Sequence, residues 1–393
     1  MSSRRKYLLY LALTPVYVAS MVVPRRNDLW VFGAAGGSSF SGNPKYAFLH
    51  AHARFDDIEA VWISDDRGTV RELRERGYTT YHSGSVRARF VSLRARYAII
   101  SHGLTDLIWW TVGGATIVQL WHGVSFKKKR WISEKESARL HVVEKYFLKY
   151  VLWRCDYVTV TSSELIELHA DAFDVPEEHV LVTGYPRHDA LFSDPEGFDI
   201  GVDDGVYDDV TTAPESRTVI MYLPTYRDTG GDPLADGTVV SEELDHVLRR
   251  IDGQMYVKLH PFTESAVDVH EYDRITVIER SFDIYPVLKH VDVLVTDYSS
   301  VFSDFLLLDR PEVFYPYDLD RYVANERELY FDYRSYTPGP IVDDREGFIE
   351  TLLALSEGKD EYRDVRAELR TFFFDHVDGD SAARVVAAIR ELD

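Results

Sequence analysis

The chain has 393 residues, 45% of them hydrophobic and 28% charged, with a formal net charge of -21. That length suits two globular domains rather than one, and the apolar content excludes a disordered chain. The acidity disfavours nucleic acid as a partner, since such proteins need a basic footprint, and reads instead as a carboxylate-rich surface that stays soluble in strong salt, a hint of a salt-adapted organism, with a bland acidic surface in an ordinary cell as the alternative.

Residues Tyr7 to Val23 are uncharged and mostly apolar, between Arg4-Arg5-Lys6 and Arg25-Arg26. The length lies at the bottom of the ~17–25 residues that a spanning helix needs, and Pro15 interrupts it. No convincing small-residue cleavage site marks a signal peptide, and the basic flanks are two-sided where an anchor is one-sided. An interfacial helix with both ends snorkelling fits, which makes 1–24 a membrane-associated segment at an anionic membrane surface. A buried helix of the first domain fits about as well.

From Leu29 apolar strands alternate with helix-spaced segments. The strands are expected at Leu29–Phe32, Glu59–Ile63, Tyr97–Ile100, Ala115–Val118, Tyr157–Val160 and His179–Val182. This is a βα repeat and implies a parallel sheet covered on both faces. Gly33-Ala-Ala-Gly-Gly-Ser-Ser39 after the first strand looks like a phosphate loop but lacks a clear acidic partner, so a flexible acceptor-side loop is the better reading. Gln119-Leu-Trp-His-Gly123 puts an imidazole at the mouth of the sheet, beside a glycine, Gly123, that lets backbone approach a ligand. Next comes a basic patch, Lys127-Lys-Lys-Arg130 with Lys135, Arg139, Lys145 and Lys149, interleaved with aromatic residues. A solvated helix face would explain it in an ordinary chain. In so acidic a chain, attraction to anionic lipid or a phosphate-rich acceptor is favoured, at about 1 kcal/mol per cation. Cys155 is the sole cysteine, so no internal disulfide can form and a reducing compartment fits; no Cys/His spacing suggests a metal.

Thr183-Gly-Tyr-Pro-Arg-His-Asp189 follows the sixth strand. The stretch 193–216 is acidic, rich in Gly and Pro and aperiodic, which reads as a linker and exposed insertion. It separates a first domain over 25–192 from a second over 217–393, whose last helix could pack back on the first. Strands of the second are expected at Thr218–Met221, Met255–Lys258, Ile275–Ile278, Val291–Val295 and Glu312–Tyr315, with helices at Gly347–Gly358 and Ser381–Leu392. Again polar clusters close the strands: Tyr222-Leu-Pro-Thr-Tyr-Arg227, Lys258-Leu-His-Pro261, and Thr296-Asp-Tyr-Ser-Ser300 ahead of an apolar helix. Taken alone, the last is an ordinary Ser N-cap. Five such clusters in sequence order argue for one anion-binding cleft lined by strand ends, with Ser299 and Ser300 at a helix start as a phosphate seat.

The order Trp-His-Gly, Gly-Tyr-Pro-Arg, Pro-Thr-Tyr-Arg, Leu-His-Pro, Thr-Asp-Tyr-Ser-Ser and Arg310-Pro-Glu-Val-Phe-Tyr315 resembles the CDP-glycerol glycerophosphotransferase family, the teichoic-acid primases and polymerases. Asn43-Pro-Lys-Tyr46 is similar to that family's N-terminal signature, and Asp378-Gly379 with Ser381 and Arg384 to its C-terminal one. The chain departs where the family often has Pro-Leu-Lys after Trp-His-Gly and this sequence has Val124-Ser-Phe126, which bears on the acceptor side. The resemblance implies an α/β chain of two Rossmann-like doubly wound domains facing across a cleft, the GT-B type. It implies transfer of a polyol phosphate from a CDP-polyol donor to a membrane-linked acceptor hydroxyl, with CMP released, at the cytoplasmic side of the membrane and without cofactor or metal. Catalytic candidates are His122, since an unperturbed imidazole has a pKa close to working pH and suits a general base, and His260. Thr225, Arg227, Asp297, Ser299 and Ser300 are candidates for the diphosphate. Gly123, Arg187, Asp189 and Lys127 are weaker acceptor-side or interdomain candidates, since an interdomain salt bridge explains Arg187 and Asp189 equally well. A sugar-nucleotide glycosyltransferase and a non-catalytic, membrane-docked polymer-binding protein are the alternatives.

Overall fold

The computed structural model describes residues 3–124, 147–225, 227, 232–236, 239–259, 263, 267, 271–279, 282–319, 321, 322 and 330–392. His260, Lys127 and most of the basic patch lie outside the described residues. The described chain forms two compact units, one of residues 3–122, 147–200 and 375–392, the other of 123–124 and the rest of 201–374.

The first unit holds seven parallel strands: β1 Arg26–Phe32, β2 Glu59–Ser64, β3 Thr80–His82, β4 Ala95–Ile100, β5 Thr116–Gln119, β6 Tyr157–Val160 and β7 Val180–Val182. Their order is β3-β2-β1-β4-β5-β6-β7. Six were legible as apolar runs; β3 was not, because a three-residue edge strand of Thr, Tyr and His carries no such run. Over Leu29–Phe32 both faces of β1 are buried, which is why that part of the strand reads as continuous apolar sequence. Trp30 and Phe32 enter one core with Phe48 and Trp62. Leu29 and Val31 enter the other with Ile63 and Ile100.

The last helix, Ser381–Arg390, belongs to this first unit: Val385, Val386 and Ile389 fill its core. The stretch 193–216 is not irregular throughout, since Asp203 caps a helix Asp204–Thr211 whose Val210 is buried.

The N-terminal helix Ser3–Ser20 presents two faces. Tyr17, 2% exposed, packs on Trp109, and Tyr10 stacks on Phe147 at 5.2 Å. The Ser20 hydroxyl accepts the Gly113 N–H at 3.0 Å. Leu11, Val16 and Val18 of the helix and Met21 and Val22 just after it are exposed, from 42% to 84%. The arginines after the helix do not snorkel as expected. Arg25 turns inward to the carbonyls of Ser20, Ser92 and Thr111, and burial pulls its pKa down to about 10, with Arg94 adding to the shift. Arg26 pairs with Asp28 and Glu59. Orphan carbonyls at a helix end and two nearby carboxylates hold these cations on the protein. Among the described residues no helix is long and apolar enough to cross a membrane.

The second unit has five parallel strands, β8 Thr218–Leu223, β9 Gly253–Lys258, β10 Ile275–Ile278, β11 Val293–Thr296 and β12 Glu312–Phe314, in the order β10-β9-β8-β11-β12. Ile220, Tyr222, Val295, Val313 and Phe348 share its core. In both sheets the order reverses beside the first strand, between β1 and β4 and between β8 and β11. Open α/β sheets bind ligands outside the carboxyl ends of their strands at such a reversal.

Candidate active site

In the first unit three strand ends meet at the reversal. After β1 the chain turns through Ala35, Gly36 and Gly37, all at positive φ. After β4 come Ser101, His102 and Gly103, and after β5 come Leu120, Trp121 and His122. Asp106 ties the first two together. Its buried carboxylate accepts the backbone N–H of Gly36 at 2.7 Å and those of Ser101 and His102 at 2.8 Å each.

The Trp-His turn is strained and then pinned. Trp121 has φ +57, a left-handed conformation that costs a non-glycine residue roughly 1–3 kcal/mol. Its N–H donates to the side-chain carbonyl of Gln119 at 3.0 Å. The Asn43 amide donates to the carbonyls of Leu120 at 2.9 Å and Trp121 at 3.0 Å. Asn43 in turn accepts the Arg187 N–H, and the Arg187 guanidinium donates to the His122 carbonyl at 2.7 Å. Arg187, expected at the acceptor or an interdomain contact, thus positions the histidine turn. Replacing Asn43 with alanine removes one buried donor from each of two carbonyls, of which Leu120 keeps the Thr159 hydroxyl at 3.1 Å, so a loss of about 1–3 kcal/mol in stability and a fall in kcat are expected. Thermal unfolding and steady-state kinetics check this; a variant equal to wild type in both would contradict it.

His122 is half-buried, with Trp121 packed on its ring at 3.9 Å. Its Nδ1 lies 3.0 Å from the Ser101 carbonyl oxygen. A carbonyl only accepts, so Nδ1 carries the proton and the neutral ring holds its lone pair on Nε2. His102, which sequence reasoning missed, stacks on His122 with centroids 4.3 Å apart and planes 8° from parallel. The signal was present: Ser101-His-Gly103 after β4 repeats the strand-end His-Gly of residues 122–123.

Asp189 sits elsewhere in the same unit. Its carboxylate accepts the Ser381 and Ala382 N–H groups at 2.8 and 2.9 Å and so caps the last helix. Burial raises its pKa to about 7 against those two bonds and Arg384. Arg384 binds Asp378 and the Thr183 carbonyl. Gly184 has φ +77, and a Cβ there would lie 2.5 Å from the Ser381 hydroxyl. The Gly-Tyr-Pro-Arg and C-terminal signatures are therefore two halves of one latch within the first unit.

The second unit gathers its residues at the ends of β8 and β11. Asp297 is fully buried and accepts the Thr225 N–H on both oxygens, at 2.9 and 3.2 Å. Arg227 was expected to face a diphosphate, but it is buried and engaged within the protein. It binds Asp297 at 2.8 Å, Asp318 at 2.8 and 2.9 Å, and the Thr225 carbonyl at 2.6 Å. The rings of Tyr298, Tyr322 and Tyr317 surround the guanidinium at 5.0 to 5.4 Å. Coulombic attraction to Asp297 and hydrogen bonding to Asp318 hold it charged despite its burial. Tyr298 donates to Asp318, and Tyr333 donates to the Asp297 carbonyl. These partners fix the loops; they do not present a free cation. Asp318 and the tyrosines were also missed, because nothing in a single sequence pairs Arg227 with a carboxylate 91 positions away.

Ser299 and Ser300 are partly exposed at the turn after β11. The helix they open, Val301–Phe305, has five residues before it tightens at Leu306–Leu308, too short for the strong dipole expected there. The Thr225 hydroxyl is buried with no hydrogen-bond partner among the described residues. Lys258 ends β9, where burial lowers its pKa against the pull of Asp283. Among the described residues no group of three His, Cys, Asp or Glu side chains could hold a metal ion.

Comparison with known proteins follows this geometry. Residues 16–391 match the family described as CDP-glycerol:poly(glycerophosphate) glycerophosphotransferase. A teichoic acid glycerol-phosphate transferase of Staphylococcus aureus is 27% identical over 376 residues, 93% of this chain and 94% of that one. A teichoic acid poly(glycerol phosphate) polymerase of Staphylococcus epidermidis is 26% identical over 92% of this chain and 50% of its own. The solved structure of the wall teichoic acid polymerase TagF superposes with a TM-score of 0.74 at 22% identity, covering 98% of this chain and 97% of that one, and shows the same GT-B fold.

Proposed function

The chain belongs to the CDP-glycerol:poly(glycerophosphate) glycerophosphotransferase family, and from that premise we propose how its own residues move a glycerol phosphate unit from CDP-glycerol to a teichoic-acid-type acceptor. An acceptor hydroxyl attacks the β-phosphorus, the phosphoanhydride bond breaks, and CMP leaves. His122 Nε2 takes the hydroxyl proton. Such a transfer depends on positioning and charge neutralisation more than on covalent catalysis. Ser299, Ser300 and the Thr225 hydroxyl bind the donor's diphosphate, with His260 and Lys258 supplying positive charge. Arg227 and Asp297 hold that surface in shape. The observation that carries this reading is the single tautomer of His122, which the Ser101 carbonyl sets with the lone pair on Nε2. A solved form of the related polymerase was soaked with CDPG, which supports a CDP-linked donor. The test is a donor screen in strong salt, as the acidic surface suggests, with CDP-glycerol, CDP-ribitol, and UDP- and GDP-sugars. CMP from CDP-glycerol is expected; nucleoside diphosphate from a sugar nucleotide would overturn the reading.

The membrane association read from 1–24 is proposed here as a peripheral contact on the cytoplasmic side, near a membrane-linked acceptor. Its support is the exposed apolar side chains Leu11, Val16 and Val18 on the helix and Met21 and Val22 just after it, while Tyr10 and Tyr17 lock the helix to the protein. Such a face lies in the headgroup boundary, and the Lys127–Arg130 cations add attraction that salt screens over ~8 Å at physiological ionic strength. Replacing Leu11, Val16 and Val18 with asparagine is expected to abolish flotation with anionic liposomes in strong salt while leaving the fold intact, since all three are exposed. Unchanged flotation would contradict this.

A further inference from the structure

We propose that the helix Val86–Arg94 is a docking surface for anionic lipid; it adds a second element to the peripheral membrane contact proposed for the N-terminal helix and rests on that reading. Between Glu75 and Asp106 the sequence has no acidic residue but carries Arg76, Arg87, Arg89, Arg94 and Arg96, in a chain of net charge -21. The helix is inverted relative to an ordinary surface helix. Its buried side is Ala88, Val91 and Ser92. Helical spacing then leaves Val86, Phe90 and Leu93 along the outer side, where polar residues are the rule. Val86 is 79% and Phe90 58% exposed, and Leu93 is partly so. Arg87 and Arg94 flank this stripe on one side and Arg89 on the other.

These arginines are not consumed by the protein. Arg26, Arg76 and Arg390 of the same unit each pair with an aspartate. Among the described residues no ion pair or side-chain hydrogen bond engages Arg87, Arg89 or Arg94, and the Arg94 Nε is buried without a partner. Aromatic faces hold two of them: Arg87 lies 5.9 Å from the Tyr81 ring and Arg89 5.7 Å from that of Trp110, which is itself partly exposed. A ring face orients a guanidinium and leaves its N–H groups for phosphate. The stripe and the cations together select the partner. A soluble polyanion such as the acceptor's phosphate chain would use the arginines but leave Val86 and Phe90 in water. A bilayer uses both, with the apolar stripe in the headgroup boundary and the guanidiniums at the phosphates. The position agrees with this. Arg25 donates to the carbonyl of Ser20, at the end of the N-terminal helix, and to that of Ser92, in this helix. Tyr17, Ala88 and Val91 fill one core cluster, so both helices cover the same face of the sheet.

The test is flotation of the full-length protein with vesicles of phosphatidylcholine, alone or mixed with phosphatidylglycerol, in low and in strong salt. One variant, Arg87→Gln with Arg89→Gln, removes two exposed cations; another, Val86→Gln with Phe90→Gln, removes the stripe. All four side chains are exposed, so the fold is kept, and thermal unfolding verifies this. In low salt the arginine variant is expected to bind phosphatidylglycerol vesicles about thirtyfold more weakly than wild type, at about fivefold per cation. In strong salt it is expected to match wild type, because the attraction is screened, whereas the stripe variant is expected to bind more weakly in both. The variant Leu11→Asn, Val16→Asn, Val18→Asn is run beside them. Flotation that this variant loses but both new variants keep in full would overturn the present proposal and leave the N-terminal contact standing. Wild type that floats with neither kind of vesicle would overturn both. Affinity for soluble poly(glycerol phosphate) that falls in the arginine variant while vesicle binding holds would overturn the lipid assignment in favour of the acceptor chain.

Discussion

Replacing His122 with alanine is expected to lower transfer by about 10²–10⁴-fold while CDP-glycerol binds with nearly wild-type affinity. Three features of the structure lead to this. The ring stands at the end of β5, where the parallel sheet of the first unit reverses. Its tautomer is set by the Ser101 carbonyl, so the lone pair is on Nε2. Its backbone is held in a strained turn by Gln119, Asn43 and Arg187. None of these contacts serves the donor, whose proposed ligands lie in the other unit. Single-turnover kinetics and calorimetric titration of the folded variant separate the two effects. A folded His122→Ala protein with wild-type turnover would remove the residue from the mechanism.

Replacing Arg227 with alanine is expected to destabilise the second unit by about 3–5 kcal/mol, because two carboxylates would lose their shared cation, one fully buried and the other mostly so. The guanidinium also fills the space between Tyr298, Tyr322 and Tyr317, so the loss of packing adds to the loss of charge. Lysine would not restore the bidentate contact with Asp318. Calorimetric unfolding of the full chain checks this. A variant that unfolds at the wild-type temperature but loses CDP-glycerol affinity would show Arg227 to be a free cation for the diphosphate and not the hub described above.

The same residue shows where sequence reading stops. The β-strands were legible because strands buried on both faces must be apolar throughout, as Leu29–Phe32 and Val293–Val295 are. The strand-end positions of His122, Thr225 and Asp297 followed from those strands. What the side chains do there depends on partners brought together by the fold. Arg227 meets Asp297 and Asp318 from 70 and 91 positions away, and Asp189 meets Ser381 from 192 away. A cation or carboxylate placed correctly at a sheet edge can thus be a ligand for substrate or a brace for the loop, and the sequence alone favours neither. His102 was missed for a different reason. Ser101-His-Gly103 repeats the strand-end His-Gly of residues 122–123, but the stacking of the two imidazoles exists only once β4 and β5 are paired.

The central claim is that the acceptor oxygen attacks the β-phosphorus of CDP-glycerol. Mass spectrometry of both products from one reaction tests it directly, with purified wild-type protein, CDP-glycerol and a lipid-linked acceptor bearing a terminal glycerol phosphate. One CMP for each glycerol phosphate unit gained by the acceptor is the predicted result. Release of CDP, or nucleotide turnover without any gain by the acceptor, would contradict it.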